Sequence, residues 1–483
     1  MKVALLFLSQ SLNKLIGFLF LPIIARSMTL EDYGTYGQVL LTGNFAGRLF
    51  SFGLATVIFV FYAQNRGKEA SVFQSNLLGS IVIGLIGSLL VFLFSSEIGL
   101  FLGNDKLGPL LKVYAIVVPF GIVKTTLDST LIYFSKIKTS AVLLVIGNLV
   151  SFALMLSCLF FYYSLYNFIA SVVVGSIFNS LLLAAFVPRD LLRWKGMDLK
   201  LIRRQIWIGF PLGISLMLGL VFKLTDSAIV SKLLGVEQYA VFRNGAIELP
   251  FIAAIYSSVT KIVLPDISKL FANGQMLEIV KLKRRIASYN AIFIYPLASF
   301  LVVFAEPIVS FYFSKKYVES APILAIYTLI LFFRVVNYGD IFTAASKNFQ
   351  QVLIFLTAIA INVPLTFILV KSMGPPGAAV ATVAGYALLL LLLLNYSTKI
   401  LDVSIHAYFD FVLLGKIIGA CVLGIISSFL IYHSIGGGAG FCAALVMYST
   451  ILACCYYWGD IFPVELLEAI MLKKKLGAGL SVE

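Results

Sequence analysis

Long apolar runs alternate with short polar connections along this chain, and the runs have the length of membrane-crossing helices. About 20 apolar residues rising 1.5 Å each cover a hydrocarbon core of roughly 30 Å. Fourteen such spans are predicted, at 3–25, 36–62, 75–96, 110–134, 139–163, 166–187, 208–231, 239–264, 286–313, 321–345, 349–371, 376–397, 411–433 and 439–458. Strand-like alternation over about ten residues is absent, which argues against a membrane barrel. A helical bundle satisfies its own backbone in lipid and is the expected architecture. Connections are short, and the two longest, 188–207 and 265–285, are both basic.

Composition agrees with this pattern. The 483 residues are 60% hydrophobic and 12% charged, too apolar for a soluble surface. The formal charge of +14 would suggest nucleic acid in a soluble protein, but here the excess sits in loops between spans, and no nucleic-acid partner is expected. The five cysteines (Cys158, Cys421, Cys442, Cys454, Cys455) lie inside spans without metal or disulfide spacing and read as packing residues. The first span carries Asn13 and Lys14 and no small-residue cleavage site follows it, so it reads as a retained span.

Basic bias sets the orientation. With the N-terminus inside, the inner segments hold twenty-one Lys and Arg residues and the outer loops six. Both termini are therefore expected in the cytoplasm, as in a multi-pass protein of a bacterial inner membrane.

An internal repeat emerges at the first loop of each half. Arg26, Glu31-Asp32-Tyr33-Gly34 and Tyr36 recur as Lys232, Glu237-Gln238-Tyr239-Ala240 and Phe242, at a constant separation of 206 residues. A second echo pairs Glu97, Pro109 and Tyr114 with Glu306, Pro322 and Tyr327, allowing a four-residue insertion. Six spans separate the copies, so they begin on one side of the membrane and are parallel repeats. The expected organisation is an N-terminal lobe over 1–187, a basic cytoplasmic linker over 188–207, a C-terminal lobe over 208–400, and two further spans with a basic tail over 401–483.

These residues bring a family into view. Ala25-Arg26 with Glu31-Asp32-Tyr33-Gly34-Thr35-Tyr36, Phe304-Ala305-Glu306-Pro307-Ile308 with Tyr317 and Ala321-Pro322-Ile323-Leu324, and Asn362 with Gly374-Pro375-Pro376-Gly377-Ala378-Ala379-Val380-Ala381-Thr382 are similar to motifs of one group. The chain resembles the polysaccharide and oligosaccharide (O-antigen type) flippases of the multidrug/oligosaccharidyl-lipid/polysaccharide exporter superfamily, over roughly residues 5–400. Ala240 departs from the glycine expected in the second repeat. The resemblance implies a V-shaped, two-lobed, all-α alternating-access transporter for a polyprenyl-diphosphate-linked oligosaccharide, working among membrane lipids and alongside polysaccharide polymerase and chain-length machinery. The hairpin itself has a structural reading: two glycines around two prolines force a turn, and small residues then permit close helix approach.

Ionisable residues at depth carry the candidate chemistry. Charge in hydrocarbon costs roughly 2.5–3.5 kcal/mol per residue on insertion scales, so it must face protein or a watery cavity. Only spans 1, 2, 4, 7, 8 and 10 carry such residues, three in each repeat. The cations are Lys14, Arg48, Lys124, Lys223, Arg243 and Arg334; the acids are Asp128, Asp226, Glu248 and Asp340. Two net positive charges remain, suited to a diphosphate, which arginine binds in bidentate fashion. Lys124 with Asp128 and Lys223 with Asp226 share helix faces, which fits local neutralisation as well as ligand contact. Lys14 and Arg48 have no acid on their own helix. Gln10, Asn13 and Gly17 extend a polar stripe around Lys14, while Arg334, Asn337 and Asp340 form one down span 10. The four acids are the candidates for H⁺ or Na⁺ coupling or for gating. Lys261 and Lys416 lie near span ends and are set aside. No cofactor or metal is expected.

The first rival reading is a cation-coupled drug or small-molecule exporter of the same superfamily. It would favour an acidic or aromatic cavity. The second is a membrane enzyme, a glycan polymerase or ligase, which would want a sizeable outer catalytic loop with paired carboxylates. The longest outer loop is about a dozen residues, His406 and His433 sit at span ends or in loops, and no P-loop is present. The chain is therefore expected to be a transporter rather than an enzyme.

Overall fold

The computed structural model describes residues 2–193, 198–247, 249, 252, 263–264 and 266–461. Glu248, Lys261, the tail lysines from Lys473 onward and the side chain of Gln10 lie outside the described residues. Every regular element among the described residues is helical. Ten helical stretches are long and apolar enough to cross a membrane: Leu30–Gln64, Glu69–Leu93, Leu107–Tyr133, Ile137–Phe161, Leu165–Ala185, Met276–Val303, Asn348–Met373, Pro375–Leu401, Phe411–Ile435 and Gly437–Trp458. They coincide with expected spans 2–6, 9 and 11–14. Expected spans 1 and 7 are helical over their described parts, expected spans 8 and 10 are helical only in part, and none of the four is among those ten.

The chain divides into two compact units. The first comprises residues 1–258, 312–323 and 352–385, the second 259–311, 324–351 and 386–483.

In the first unit, α1 (Lys2–Ser27) leads to α2 (Leu30–Ser51). Thr29 caps α2 by accepting from the Asp32 amide at 3.0 Å, and Glu31 and Asp32 in the first turn complement the helix dipole. The α2 helix ends where Phe52 and Gly53 both take left-handed backbone (φ 43° and 65°), and α3 (Leu54–Gln64) continues the span. The sequence predicts no such break. Space for it comes from the seventh span, where a β-carbon on Gly209 would lie 2.3 Å from the Phe52 carbonyl oxygen. There follow α4 (Glu69–Leu93), α5 (Ser95–Phe101), α6 (Leu107–Tyr114), α7 (Val117–Tyr133), α8 (Ile137–Phe161), α9 (Leu165–Ala185) and the short α10 (Arg189–Leu192). The next helix, α11 (Leu199–Gly245), is interrupted at Gly235 (φ 84°, ψ 178°), close to the loop expected between spans 7 and 8. An apolar core around Phe61, Tyr62, Phe73, Leu127 and Leu131 holds α3, α4 and α7 together.

The hairpin motif behaves as its residues dictate. Gly374 takes φ 67°, and a β-carbon on Gly377 would meet the Leu369 carbonyl at 2.1 Å. Asn362 donates to the Ala381 carbonyl at 2.9 Å, and Ala378, Ala379 and Ala381 are fully buried.

The second unit is built on α12 (Met276–Val303), followed by α13 (Ala305–Tyr312), of which only Tyr312 belongs to the first unit. Pro296 cannot donate a backbone bond inside α12, which frees the Ile292 carbonyl. Tyr456 of the last span donates to that carbonyl at 2.7 Å. Tyr448 donates to the Pro296 carbonyl at 2.8 Å. Expected span 10 is not one helix: α14 (Ser320–Thr328), α15 (Ile330–Phe333) and α16 (Gly339–Ala344) are separated, with non-helical backbone between Phe333 and Gly339. The polar stripe expected over Arg334, Asn337 and Asp340 is therefore an irregular turn. Then come α17 (Asn348–Met373), which belongs to the first unit from Val352 on, α18 (Pro375–Leu401), which belongs to the first unit up to Gly385, and α19 (Phe411–Ile435) and α20 (Gly437–Trp458) of the second unit.

Candidate substrate and coupling site

In the first unit the two copies of the repeat motif pack directly on each other. Tyr33 donates to Asn244 Oδ1 at 2.7 Å, and Tyr239, its repeat counterpart, donates to the Gly37 carbonyl at 3.2 Å. Each tyrosine thus reaches the helix that carries the other. Gly34 makes this possible, because a β-carbon there would lie 2.2 Å from the Val236 carbonyl. Ala240 stands at the equivalent place in the second copy and is fully buried, so a methyl group fits where glycine was expected. Beside this contact Glu31 pairs with Lys106 at 2.7 Å, and its carboxylate raises the pKa of that exposed ammonium. Tyr163, in the loop between α8 and α9, donates to Asp32 at 2.6 Å, and burial with that bond holds its phenol above the ordinary value.

Arg243 lies at the centre of the contact. Its guanidinium carbon is 4.9 Å from the Tyr33 ring centroid and 5.3 Å from that of Tyr36. Its Nη1 is buried with no hydrogen-bond partner among the described residues. Tyr33, Tyr239 and Tyr317 have committed their hydroxyls to Asn244, the Gly37 carbonyl and the Ala25 carbonyl, and the cation lies over the rings of Tyr33 and Tyr36. Ring quadrupoles attract the charge yet leave its N–H groups to a ligand. Gly37 is the repeat equivalent of Arg243, and a β-carbon on it would lie 3.0 Å from Arg243 Cδ. The arginine occupies room that its glycine counterpart leaves.

The remaining sequence candidates fall elsewhere. Lys14 on α1 and Arg48 on α2 are exposed, Arg48 one turn before the Phe52–Gly53 break. Asn13, beside Lys14, accepts from Asn148 at 2.9 Å. On α7, Lys124 and Asp128 are half-buried, and Asp128 accepts from Ser140 of the next span. Lys223 is exposed, whereas Asp226, three residues on, is buried. Thr382 donates to Asp226 Oδ2 at 3.0 Å, bringing the hairpin motif to a candidate coupling acid. Below the repeat contact, Gln38 donates to Ser231 at 2.7 Å and Asn104 donates to Gln38 at 2.6 Å, tying α2, the α5–α6 turn and α11. A cavity of about 350 Å³ lies in this unit between the same elements, lined by Leu41, Phe45, Phe101, Leu102, Leu224 and Thr225 among others.

Arg334 and Asp340 belong to the second unit. The Arg334 guanidinium lies 5.3 Å from the Tyr386 ring. Asp340 is buried against Lys283, a residue the sequence pattern places in a basic loop. The structure corrects that placement, because α12 begins at Met276 and carries Lys283 inward, to 2% exposure. Seven residues separate Lys283 from Asn290, which also faces the broken span. That spacing was the available signal, hidden by the run Lys281-Leu282-Lys283-Arg284-Arg285. The tyrosine surround of Arg243 had no signal beyond the repeated Tyr33 and Tyr239.

The fold is similar to that of solved membrane transporters. It matches the lipid II flippase MurJ in an inward closed conformation with a TM-score of 0.77, over 95% of this chain and 99% of that one at 18% identity. It matches an inward-facing multidrug-resistance transporter of the MATE family with a TM-score of 0.66, over 81% and 94% at 13% identity. Two relatives share sequence. The capsular polysaccharide biosynthesis protein CapF of Staphylococcus aureus is 25% identical over 395 residues, covering 77% of this chain and 93% of CapF. The uncharacterized membrane protein MJ1068 of Methanocaldococcus jannaschii is 24% identical over 423 residues, covering 82% and 83%. The family model described as "Polysaccharide biosynthesis protein" matches residues 23–322, more than half the chain. The protein therefore belongs to this polysaccharide biosynthesis family. Its ten long apolar helical stretches make it a multi-pass membrane protein.

Proposed function

We propose that the protein carries polyprenyl-diphosphate-linked oligosaccharide units, precursors of capsule or O-antigen, from the cytoplasmic to the outer leaflet of a bacterial inner membrane. Both termini are cytoplasmic in this reading. The observation that carries it is Arg243, a cation among aromatic rings with a buried, unpartnered Nη1 among the described residues. Such a group offers charge-assisted hydrogen bonds to a diphosphate. Lys14, Arg48, Lys124 and Lys223 supply further positive charge in the first unit and Arg334 in the second, and the transport cycle in this reading is alternating access by the lobes 1–187 and 208–400. The relatives support a polysaccharide precursor as cargo, since CapF bears the name of a capsular polysaccharide biosynthesis protein and MurJ that of a lipid II flippase. A polymerase and chain-length partners would then consume the delivered units.

Coupling, in this reading, uses Asp226. It is the buried acid whose oxygen already meets the Thr382 hydroxyl, and neutral oxygen donors beside a carboxylate suit H⁺ or Na⁺. Asp128 and Glu248 are secondary candidates for coupling or gating. The test is glycan display in cells that depend on this gene. Arg243→Ala and Arg48→Ala should each reduce display at least tenfold at normal protein level, with Arg243→Lys retaining more than Arg243→Ala. Full display by Arg243→Ala would remove that residue from the mechanism. Unchanged display combined with lost efflux of a cationic dye would favour a drug exporter.

A further inference from the structure

In the second unit, the tenth expected span is broken, and α12 meets the break with a series of polar side chains. Tyr295 donates to the Phe332 carbonyl at 3.1 Å, Asn290 donates to the Val335 carbonyl at 2.6 Å, and Lys283 donates to the Asn337 carbonyl at 2.5 Å. Carbonyls freed at membrane depth must find donors, and these three do. Lys283 differs from the other two because its donor is a full charge. Its ammonium is also bonded to Asp340 Oδ2, and both side chains are 2% exposed. Asp340 Oδ1 is buried as well and has no partner among the described residues.

An unwound backbone carbonyl beside a buried carboxylate is the donor set that discontinuous transporter helices use for small cations. Here one covalently held ammonium fills it. We infer that the Asp340 carboxylate and the Asn337 carbonyl form a monovalent-cation site whose resident cation is the Lys283 ammonium, tethered to α12. The site accepts Na⁺ or K⁺ once that ammonium is removed. The consequence for the protein is that this unit compensates Asp340 internally, and no free ion is needed there. Asp340 then leaves the list of ion-coupling acids, although Asp226 is unaffected. The inference stands on the geometry of the second unit and is independent of the cargo assigned above.

The test uses the purified full chain in detergent micelles. Thermal unfolding is followed in NaCl, KCl and choline chloride at equal ionic strength, for the wild type, Lys283→Met, Lys283→Gln and Lys283→Met/Asp340→Asn. Whatever alkali response the wild type shows is the baseline, because other sites contribute to it. Lys283→Met and Lys283→Gln should unfold earlier in choline and gain a saturable alkali-dependent rise in Tm of about 2 °C or more above that baseline. The double variant should return to the baseline response. The glutamine variant can still donate to the Asn337 carbonyl, so it keeps the fold if the methionine variant does not. The inference is overturned if neither single variant responds beyond the wild type, or if the extra response survives in the double variant. It is equally overturned if neither single variant accumulates in cells, where K⁺ is plentiful.

Discussion

At the scale of single residues, the repeat contact is decided by atoms that have no room to vary. Gly34 is required because the Val236 carbonyl occupies the place of its side chain, while Ala240, its counterpart, tolerates a methyl group. The same asymmetry separates Gly37 from Arg243. Substituting Gly37→Val should press on the Tyr239 ring, 2.9 Å from the added β-carbon, and on Arg243. The expected outcome is loss of glycan display at near-normal protein level, read by surface staining against an immunoblot. Tyr33→Phe is a milder probe. It leaves Asn244 Oδ1 buried without its donor and should cost about 1–2 kcal/mol, measured as a lowered unfolding midpoint in detergent. A neutral midpoint would mean that this bond contributes nothing. Sequence recurrence made Tyr33 and Tyr239 visible as a pair. It could not show that they bond across to each other's helices, because a repeat offset contains no distance.

At the scale of elements, the spans were legible and their interruptions were not. Apolar length sets a transmembrane helix, and ten expected spans match stretches of suitable length. The break at Phe52–Gly53 depends on a neighbour: Gly209 and Gly213 of α11 leave room for the displaced backbone. A bulky residue at Gly209 should therefore damage the second span and not the seventh alone. Increased protease or thiol-reagent access near Phe52 in Gly209→Leu would report this, and unchanged access would refute it. The hairpin at Gly374–Gly377 is the opposite case, since glycine and proline write that turn locally. Span 10 shows why charge spacing misleads. Arg334, Asn337 and Asp340 fall at helical intervals, yet the backbone unwinds between them, and Lys283 on another helix supplies the partner of Asp340.

At the scale of the whole molecule, the positive-inside distribution gives a topology that can be tested without reference to cargo. A reporter fused after Ser27 should mark the outer side, and one fused after Gly67 the cytoplasmic side; the reverse result would invert the proposed direction of transport. Membrane residence, helical class, the parallel repeat and the family follow from the amino-acid sequence by itself. Each depends on composition, run length or recurrence, which are properties of the chain read in order. What a buried charge meets was decided only in three dimensions. The tyrosine rings around Arg243, the Thr382 hydroxyl at Asp226 and the ammonium at Asp340 come from residues far along the chain. The physical reason is that the cost of a charge in low dielectric depends on neighbours within a few ångströms, and packing alone determines which residues those are.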